Sequence, residues 1–142
     1  MARLSAFKVD SNLVETGAWV SPGEEYDDME IRTRGYTDTY YNALNARNRR
    51  AAVGFGNDVV KLPNEIRRDI QIDCLIKHCL LDVRNVVDDD GKPVDFARFC
   101  DMLRDKDYSQ LVVASMTAAS LVGRQVAQDK EDAAGNSAQP SA

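Results

Sequence analysis

Residues 65–84 read EIRRDIQIDCLIKHCLLDVR, and this stretch decides the fold. Its apolar residues recur at spacings of three, four and five, so more than one side of a helix would be apolar. They are Ile66, Ile70, Cys74, Leu75, Ile76, Cys79, Leu80 and Val83. Pro63 lies just ahead and suits the first turn of a helix. The pattern therefore predicts one buried central helix from Glu65 to about Arg84.

The segment immediately upstream, residues 39–52, predicts a second and more exposed helix. Thr37 and Asp38 are good N-caps, and arginines occupy the last turns, where they meet the negative end of the helix dipole. Asparagines take up much of the surface, so the apolar stripe is thin. We expect this helix to lie on the core with part of it exposed, and to end at the glycine-rich connector at 54–56.

Farther upstream, alternating residues predict a β-hairpin. Gly17–Val20 and Met29–Arg34 form two short strand patterns, which are separated by turn residues and an acidic loop. Trp19 is the only tryptophan, and we expect it on the buried face of the hairpin, against a helix. Residues 1–16 carry no sustained periodicity and are predicted to form an extended arm or, at most, a short strand.

Downstream, a turn and two further helices are predicted. Asp88–Gly91 contains an Asp-Gly turn signal between β-branched residues. Asp95 can cap a short third helix, and Asp107 has the capping-box spacing for a fourth that continues to about residue 127. The third helix carries Phe96, Phe99, Cys100 and Leu103 on one face, and the fourth carries Leu111, Val112, Ser115, Met116, Ala119, Val122 and Val126. After Gln128 no large apolar residue remains to be buried, which is typical of disorder.

These patterns together predict an α+β fold that is mainly α-helical, with the N-terminal β-hairpin packed on a layer of about four helices. Residues 1–16 are predicted to be an extended N-terminal arm, 17–128 a single globular domain, and 129–142 a disordered C-terminal tail. The length of 142 residues fits one small domain with a core of useful size.

The composition restricts the class of role. Lys and Arg number 18 against 23 Asp and Glu, so the formal net charge is −5 and binding driven by nucleic-acid phosphates is disfavoured. No apolar run is long enough to span a bilayer, and the first residues lack the apolar core of a signal peptide. The three cysteines lie within apolar patterns, which argues against a secreted disulfide framework. We therefore expect a cytoplasmic protein without membrane contact.

The motifs that could carry chemistry are incomplete. His78 and Cys74 lie four residues apart on one helix face, but a zinc site needs about four ligands and only Cys100 remains as a distant third. Asp88–Gly91 is similar to a calcium loop, yet apolar residues stand where the loop needs its first and last acidic ligands. Neither a nucleotide loop nor a catalytic triad has its residues in place. We expect no metal, no cofactor and no catalytic residue, and hence a protein that is not an enzyme.

The second predicted helix offers a candidate surface for partner binding, formed by Tyr40, Tyr41, Arg47 and Arg50. Tyr and Arg are enriched at the centres of protein interfaces, which favours a protein partner. Two alternatives stay open. The segment Tyr36–Arg50, which interleaves tyrosines with arginines, could instead contact RNA by stacking. Otherwise Tyr41 and Leu44 could dock on the core while the arginines only solvate the end of the helix.

The order of segments along the chain resembles one protein family. The segments are Gly17–Val20, Ile31–Arg34 leading into Tyr40–Arg50, Leu75–Asp82, Asp89–Val94 and Met102–Tyr108, and they span about residues 17–125. In this order and spacing they resemble the tail assembly chaperones of long-tailed bacteriophages, which act on the tape measure protein.

The resemblance implies a non-enzymatic protein that acts in the cytoplasm of the bacterial host. Such a protein would bind the tape measure protein and tail tube subunits during tail morphogenesis, with nucleic acid disfavoured as a partner. Its oligomeric state, including a homo-oligomer, stays open. The alternative is a small phage or mobile-element protein, either a nucleic-acid-associated regulator or a virion structural protein.

Overall fold

Three strands and five α-helices are found in residues 1–124, which are the residues that the computed structural model describes. The strands are β1 (Ala18–Val20), β2 (Glu30–Thr33) and β3 (Leu80–Arg84). The helices are α1 (Ser11–Thr16), α2 (Asp38–Ala52), α3 (Asn64–His78), α4 (Phe96–Leu103) and α5 (Ser109–Leu121). The chain is mainly helical with a small antiparallel sheet, which confirms the predicted α+β class. The predicted tail at 129–142 and Val126 lie outside the described residues.

The predicted β-hairpin is present. β1 and β2 pair antiparallel, with Ala18 opposite Thr33 and Val20 opposite Ile31. Because side chains alternate along a strand, Val20, Ile31 and Thr33 share one face, and each is at most 1% exposed. α5 packs against both strands. The hairpin therefore contributes one face to the core.

The predicted central helix is shorter than its apolar pattern indicated, because its last part is a strand. α3 ends before Cys79, and residues 80–84 pair antiparallel with β2. The carbonyl oxygen of the buried Cys79 accepts a hydrogen bond from the Arg34 N–H at 2.8 Å, which ties this turn to the end of β2. Leu80 and Val83 are buried in the strand. The prediction of their burial is confirmed, and the prediction of a helix there is wrong.

Trp19 lies on the outer face of the sheet, and the prediction that it faces the core is wrong. It stands opposite Arg32, one position out of phase with the buried Val20, which takes the inner place. The guanidinium of Arg84 covers its ring, with Cζ 4.1 Å from the ring centroid. This cation–π contact covers the indole without placing it in the core.

Residues 1–16 are not an extended arm, contrary to the prediction. α1 forms over Ser11–Thr16 because the Asp10 carboxylate accepts hydrogen bonds from two N–H groups of the first turn. Gly123, at φ +79°, brings the end of α5 against this segment, where an added Cβ would lie 2.8 Å from the Asp10 carbonyl oxygen. Ahead of α1, residues 4–7 form an exposed 3₁₀ turn. A local cap and a tertiary contact thus order a segment that has no apolar period.

The two C-terminal helices confirm one predicted cap and correct the other. Asp95 caps α4 by accepting a hydrogen bond from the Arg98 N–H at 2.8 Å. α5 begins at Ser109 without a side-chain cap, so the capping box expected at Asp107 is not formed. Asp105 instead caps the 3₁₀ turn that separates the two helices.

The buried face of α5 consists of small residues. They are Ala114, Ser115, Ala118 and Ala119, each at most 2% exposed. Val112 and Met116, which were expected on this face, are only half-buried. Small side chains let a helix approach its neighbours closely. The face of α5 that packs against the strands is therefore the one with small residues, and the larger apolar residues lie to its side.

α3 is a central helix of the core, as predicted. Its Leu75 is fully buried, in the same apolar cluster as Ile31 of β2 and Phe99 of α4. α2 packs against α3, and its Tyr40 and Ala52 are buried. Among the described helices, none combines the length and the apolar character that a membrane crossing requires.

Candidate partner-binding cleft

A cleft of about 430 Å³ lies between α2 and α3. Its α2 wall consists of Ala43, Ala46, Arg47 and Arg50, which share one helix face because they are spaced by three and four residues. The two alanines leave room where larger side chains would fill the space between the helices. The α2 wall of the cleft therefore follows from the sequence of this helix.

The opposite wall comes from the end of α3. Asp73, Cys74, Lys77 and His78 line it. Cys74 is buried at 2% exposure, whereas Lys77 is exposed and His78 is half-buried. Positive side chains near a helix C-terminus interact favourably with the helix dipole, which suits Lys77 to this position.

Asp73 is the acidic side chain of the cleft, and two arginines hold it. Arg47 Nη1 lies 3.0 Å from Asp73 Oδ2, and Arg104, just after α4, pairs with Oδ1. Burial by itself raises the pKa of Asp73, but hydrogen bonds from Arg104 and Arg47 outweigh it and hold the pKa below its ordinary value. The carboxylate is therefore ionised at neutral pH, and its charge is matched from two sides.

Arg50 and Lys77, one on each wall, give the cleft its positive charge. Both are exposed, and neither forms a salt bridge with a residue of the described part of the chain. Together with Arg47 they bring three permanent positive charges to a cleft whose carboxylate is shared with Arg104. This surface is thus cationic on a protein whose formal net charge is −5.

The four residues predicted to bind a partner separate into two groups. Arg47 and Arg50 line the cleft together. Tyr40 is 2% exposed and belongs to the core, so the expectation that it contacts a partner directly is corrected. Tyr41 is 48% exposed but does not line the cleft, and its ring centroid lies 5.3 Å from that of Tyr40.

Tyr36 packs against the buried Tyr40. The centroids of the two rings are 5.0 Å apart, and the Tyr36 hydroxyl donates a hydrogen bond to the Met116 carbonyl oxygen at 3.2 Å. Burial raises the pKa of both tyrosines, so their hydroxyls stay protonated at neutral pH. The pair anchors the start of α2 to α5 and is a structural feature.

Sequence reasoning placed Cys74 and His78 on one face of the central helix but did not connect that face with the arginines of α2. Asp73 and Lys77 are four residues apart, a spacing that places them on one helix face, and in the structure this face lies opposite the arginines of α2. This signal was present in the sequence. The signal was obscured because residues 65–84 were interpreted as one helix that is apolar on several sides. No face of that helix was therefore assigned to contact with α2.

Cys74 and His78 line the cleft together, as their spacing implied. Burial raises the pKa of the Cys74 thiol and raises that of Cys79 to about 12, so both stay protonated at neutral pH. All three cysteines are free thiols. Within residues 1–124, no three His, Cys, Asp or Glu side chains are grouped so that they could hold a metal ion. That the protein binds no metal stays a prediction.

A more apolar hollow of about 440 Å³ lies between α3 and α5. Its lining includes Ile72, Val112 and Val113, and Val113 is 50% exposed. The ion pair between Lys106 Nζ and Glu65 Oε1, 3.1 Å apart, lies at its rim. This hollow contains none of the residues that the sequence pattern singled out for binding.

A family model described as "YdaY prophage protein" matches residues 36–136, which is more than two thirds of the chain. The match begins at Tyr36, ahead of α2, and includes both walls of the cleft. Comparisons with curated proteins and with solved structures found no match.

Proposed function

Because the chain belongs to the YdaY prophage protein family, we propose that it is a non-enzymatic assembly factor of phage tails. In this role it binds the tape measure protein and tail tube subunits during tail morphogenesis, in the cytoplasm of the bacterial host. Membership of a prophage family supports an origin in a phage genome. The order of segments that resembles the tail assembly chaperones supports the more specific role.

The observation that carries this proposal is the open, cationic cleft between α2 and α3. Complementary charge across an interface steers association and selects the partner. Arg50 and Lys77 form no salt bridge within the described residues, and Arg47 is positioned by its bond to Asp73. Arg is also among the residues that dominate the binding energy of protein interfaces.

Coexpression tests the proposed role. The full chain is produced together with the tape measure protein and the tail tube protein of the same prophage, and is captured through an affinity tag. We expect at least one of the two proteins to copurify, and the tape measure protein to become more soluble when the chain is present. If neither protein copurifies and solubility does not improve, the proposed role is wrong.

The alternative function is a nucleic-acid-associated regulator, and the same cations are the observation that favours it. Phosphate contacts by Arg47, Arg50 and Lys77 would give binding that falls steeply with salt. A gel-shift assay with DNA and RNA at ~50 mM and ~200 mM salt separates the two functions. An assembly factor gives no shift, whereas a salt-sensitive shift that Lys77→Glu abolishes would favour the regulator.

A further inference from the structure

We propose that the cleft between α2 and α3 binds an acidic segment of a partner protein, whose carboxylates pair with Arg50 and Lys77. This inference rests on the proposed function, since it assigns the chemistry of the partner to the same cleft. It adds the residues of the α3 wall to the surface that the sequence indicated on α2.

Asp73 does not neutralise these two cations. Each of its oxygens already accepts a hydrogen bond from a different arginine, Oδ2 from Arg47 and Oδ1 from Arg104. Arg104 is the C-cap residue of α4 and does not line the cleft. The charge of Asp73 is thus offset in part from outside the cleft, which leaves the charges of Arg50 and Lys77 for a ligand.

The two cations are held on separate helices that pack against each other. Arg50 belongs to α2 and Lys77 to α3, and the two helices are in contact. An exposed ion pair contributes only about 0–1 kcal/mol by itself. A segment with several carboxylates reaches both walls and gains from both cations at once, because the packed helices fix where the cations emerge. A lone carboxylate pairs with only one of the two cations.

The shape of the cleft suits a short peptide segment. Ala43 and Ala46 present only methyl groups, so a peptide backbone can approach α2 closely. The volume of about 430 Å³ lies within the range of about 300–1,000 Å³ that ligand sites occupy. This room accommodates a few residues of a partner.

The same surface disfavours a nucleic acid as the ligand. Single strands bind along a cationic groove in which exposed aromatic rings stack on the bases. No tyrosine lines the cleft: Tyr40 is buried, Tyr36 packs on it with its hydroxyl bonded to Met116, and the exposed Tyr41 lies outside the lining. The Asp73 carboxylate also stands in the cleft, where it would face a phosphate backbone.

Fluorescence anisotropy tests the proposal with a labelled hexaglutamate peptide as the probe. The full chain is titrated beside the variants Arg50→Glu and Lys77→Glu, with Arg49→Glu as the matched control. Arg49 is exposed on α2 and does not line the cleft. Its charge reversal changes the net charge of the protein by as much as either cleft variant does. We expect saturable binding by the wild type, about tenfold weaker binding by each cleft variant, and a loss below about twofold for Arg49→Glu.

Any of three results would overturn the proposal. The first is that the wild type does not bind hexaglutamate saturably. The second is that Arg49→Glu and Lys77→Glu weaken hexaglutamate binding equally. The third is that an oligothymidylate with the same charge as hexaglutamate binds more tightly than hexaglutamate does. Thermal melts followed by circular dichroism show whether each variant is folded. If Arg50→Glu or Lys77→Glu is not folded, Arg50→Gln or Lys77→Gln takes its place. We expect the glutamine variant to lose less hexaglutamate binding than the glutamate variant would, but more than Arg49→Glu.

Failure of this inference can be told apart from failure of the proposed function. If the tail proteins copurify equally well with Lys77→Glu and with the wild type, the proposed function stands and the assignment of the cleft is wrong. If hexaglutamate binds as expected while no tail protein copurifies, the cleft recognises acidic segments but its partner lies outside the tail.

Discussion

At the scale of single residues, Asp73 connects the charge of the cleft to the stability of the fold. Its carboxylate holds Arg47 of α2 and Arg104 beside α4. Although burial raises its pKa, the hydrogen bonds from Arg104 and Arg47 lower it more, so the folded-state pKa lies below the ordinary value. Such a group stabilises the fold above its unfolded-state pKa of about 4, and the stabilisation is lost as the pH falls through the folded-state pKa.

We therefore expect Asp73→Asn to lower the free energy of unfolding at neutral pH, since both arginines lose an ionised partner. The difference from the wild type should shrink as the pH falls below about 4. Urea denaturation between about pH 7 and pH 3 measures it. Asp101→Asn is the control, because Asp101 is exposed on α4, and it should change little. A difference for Asp73→Asn that is the same at both ends of the range would contradict the account.

Leu75 is fully buried on α3, and its side chain tests the core directly. Leu75→Ala should lower the free energy of unfolding by about 2–5 kcal/mol, because apolar contacts are lost and a cavity is left. The control Val60→Ala removes methyl groups at a position that is 82% exposed and should cost under about 0.5 kcal/mol. Chemical denaturation of both variants measures the loss in free energy of unfolding. Similar losses for the two variants would show that Leu75 is not a core residue.

Neighbouring aromatic and apolar residues marked the limit of prediction at this scale. Arg47 and Arg50 could be placed on one face because their spacing is fixed by the helix. Tyr40 and Tyr41 are adjacent on a helix with a thin apolar stripe, so the pattern did not decide which of them turns inward. For Trp19 and Val20 the pattern likewise did not decide: Val20 faces the core, and Arg84, from a distant part of the sequence, covers the indole.

At the scale of elements, the two C-terminal helices begin in different ways, and this difference can be measured. Asp95→Ala should cost about 0.5–2 kcal/mol of stability, because it removes the cap of α4. Asp107→Ala should stay within about 0.5 kcal/mol, since Asp107 does not cap α5. Thermal and urea denaturation compare the two variants. A larger cost for Asp107→Ala would restore the capping box that the sequence suggested.

The boundary between α3 and β3 shows why element type is harder to predict than burial. Leu80 and Val83 are three residues apart, a spacing that is compatible with a helix, and the run is too short for its period to decide. The strand forms because it pairs with β2, which is far away in the sequence. α2, α4 and the hairpin could be predicted because caps and turn residues bound them, whereas α1 depends on one cap and a contact with Gly123.

At the scale of the whole molecule, the folded unit extends upstream of the segment that the family model matches. The match begins at Tyr36, but Val20 and Ile31 belong to the core, and β2 pairs with both other strands. A fragment that starts at residue 36 should therefore show no cooperative thermal transition by circular dichroism. A fragment that starts at residue 10 keeps α1 and the hairpin and should unfold like the full chain. Cooperative unfolding of the shorter fragment would contradict this.

The mainly helical fold and the phage origin could be predicted from the sequence, because both depend on the order of local patterns along the chain. The cleft could be predicted only in half. Arg47 and Arg50 share a helix, but Lys77 becomes their neighbour only when α3 packs against α2 and the chain turns away into β3. A site between two elements is set by their packing, which no single periodic segment contains.

Site-specific photo-crosslinking during prophage induction tests most directly that the cleft binds a tail protein. A photoreactive benzoylphenylalanine replaces His78, which lines the cleft. This substitution leaves Arg50 and Lys77 in place. In the control, the same photoreactive residue replaces Arg49. We expect the variant at position 78 to give an adduct that mass spectrometry identifies as the tape measure or tail tube protein, and the variant at position 49 to give little. Equal adducts from both positions, or adducts from position 78 with host proteins alone, would contradict the account.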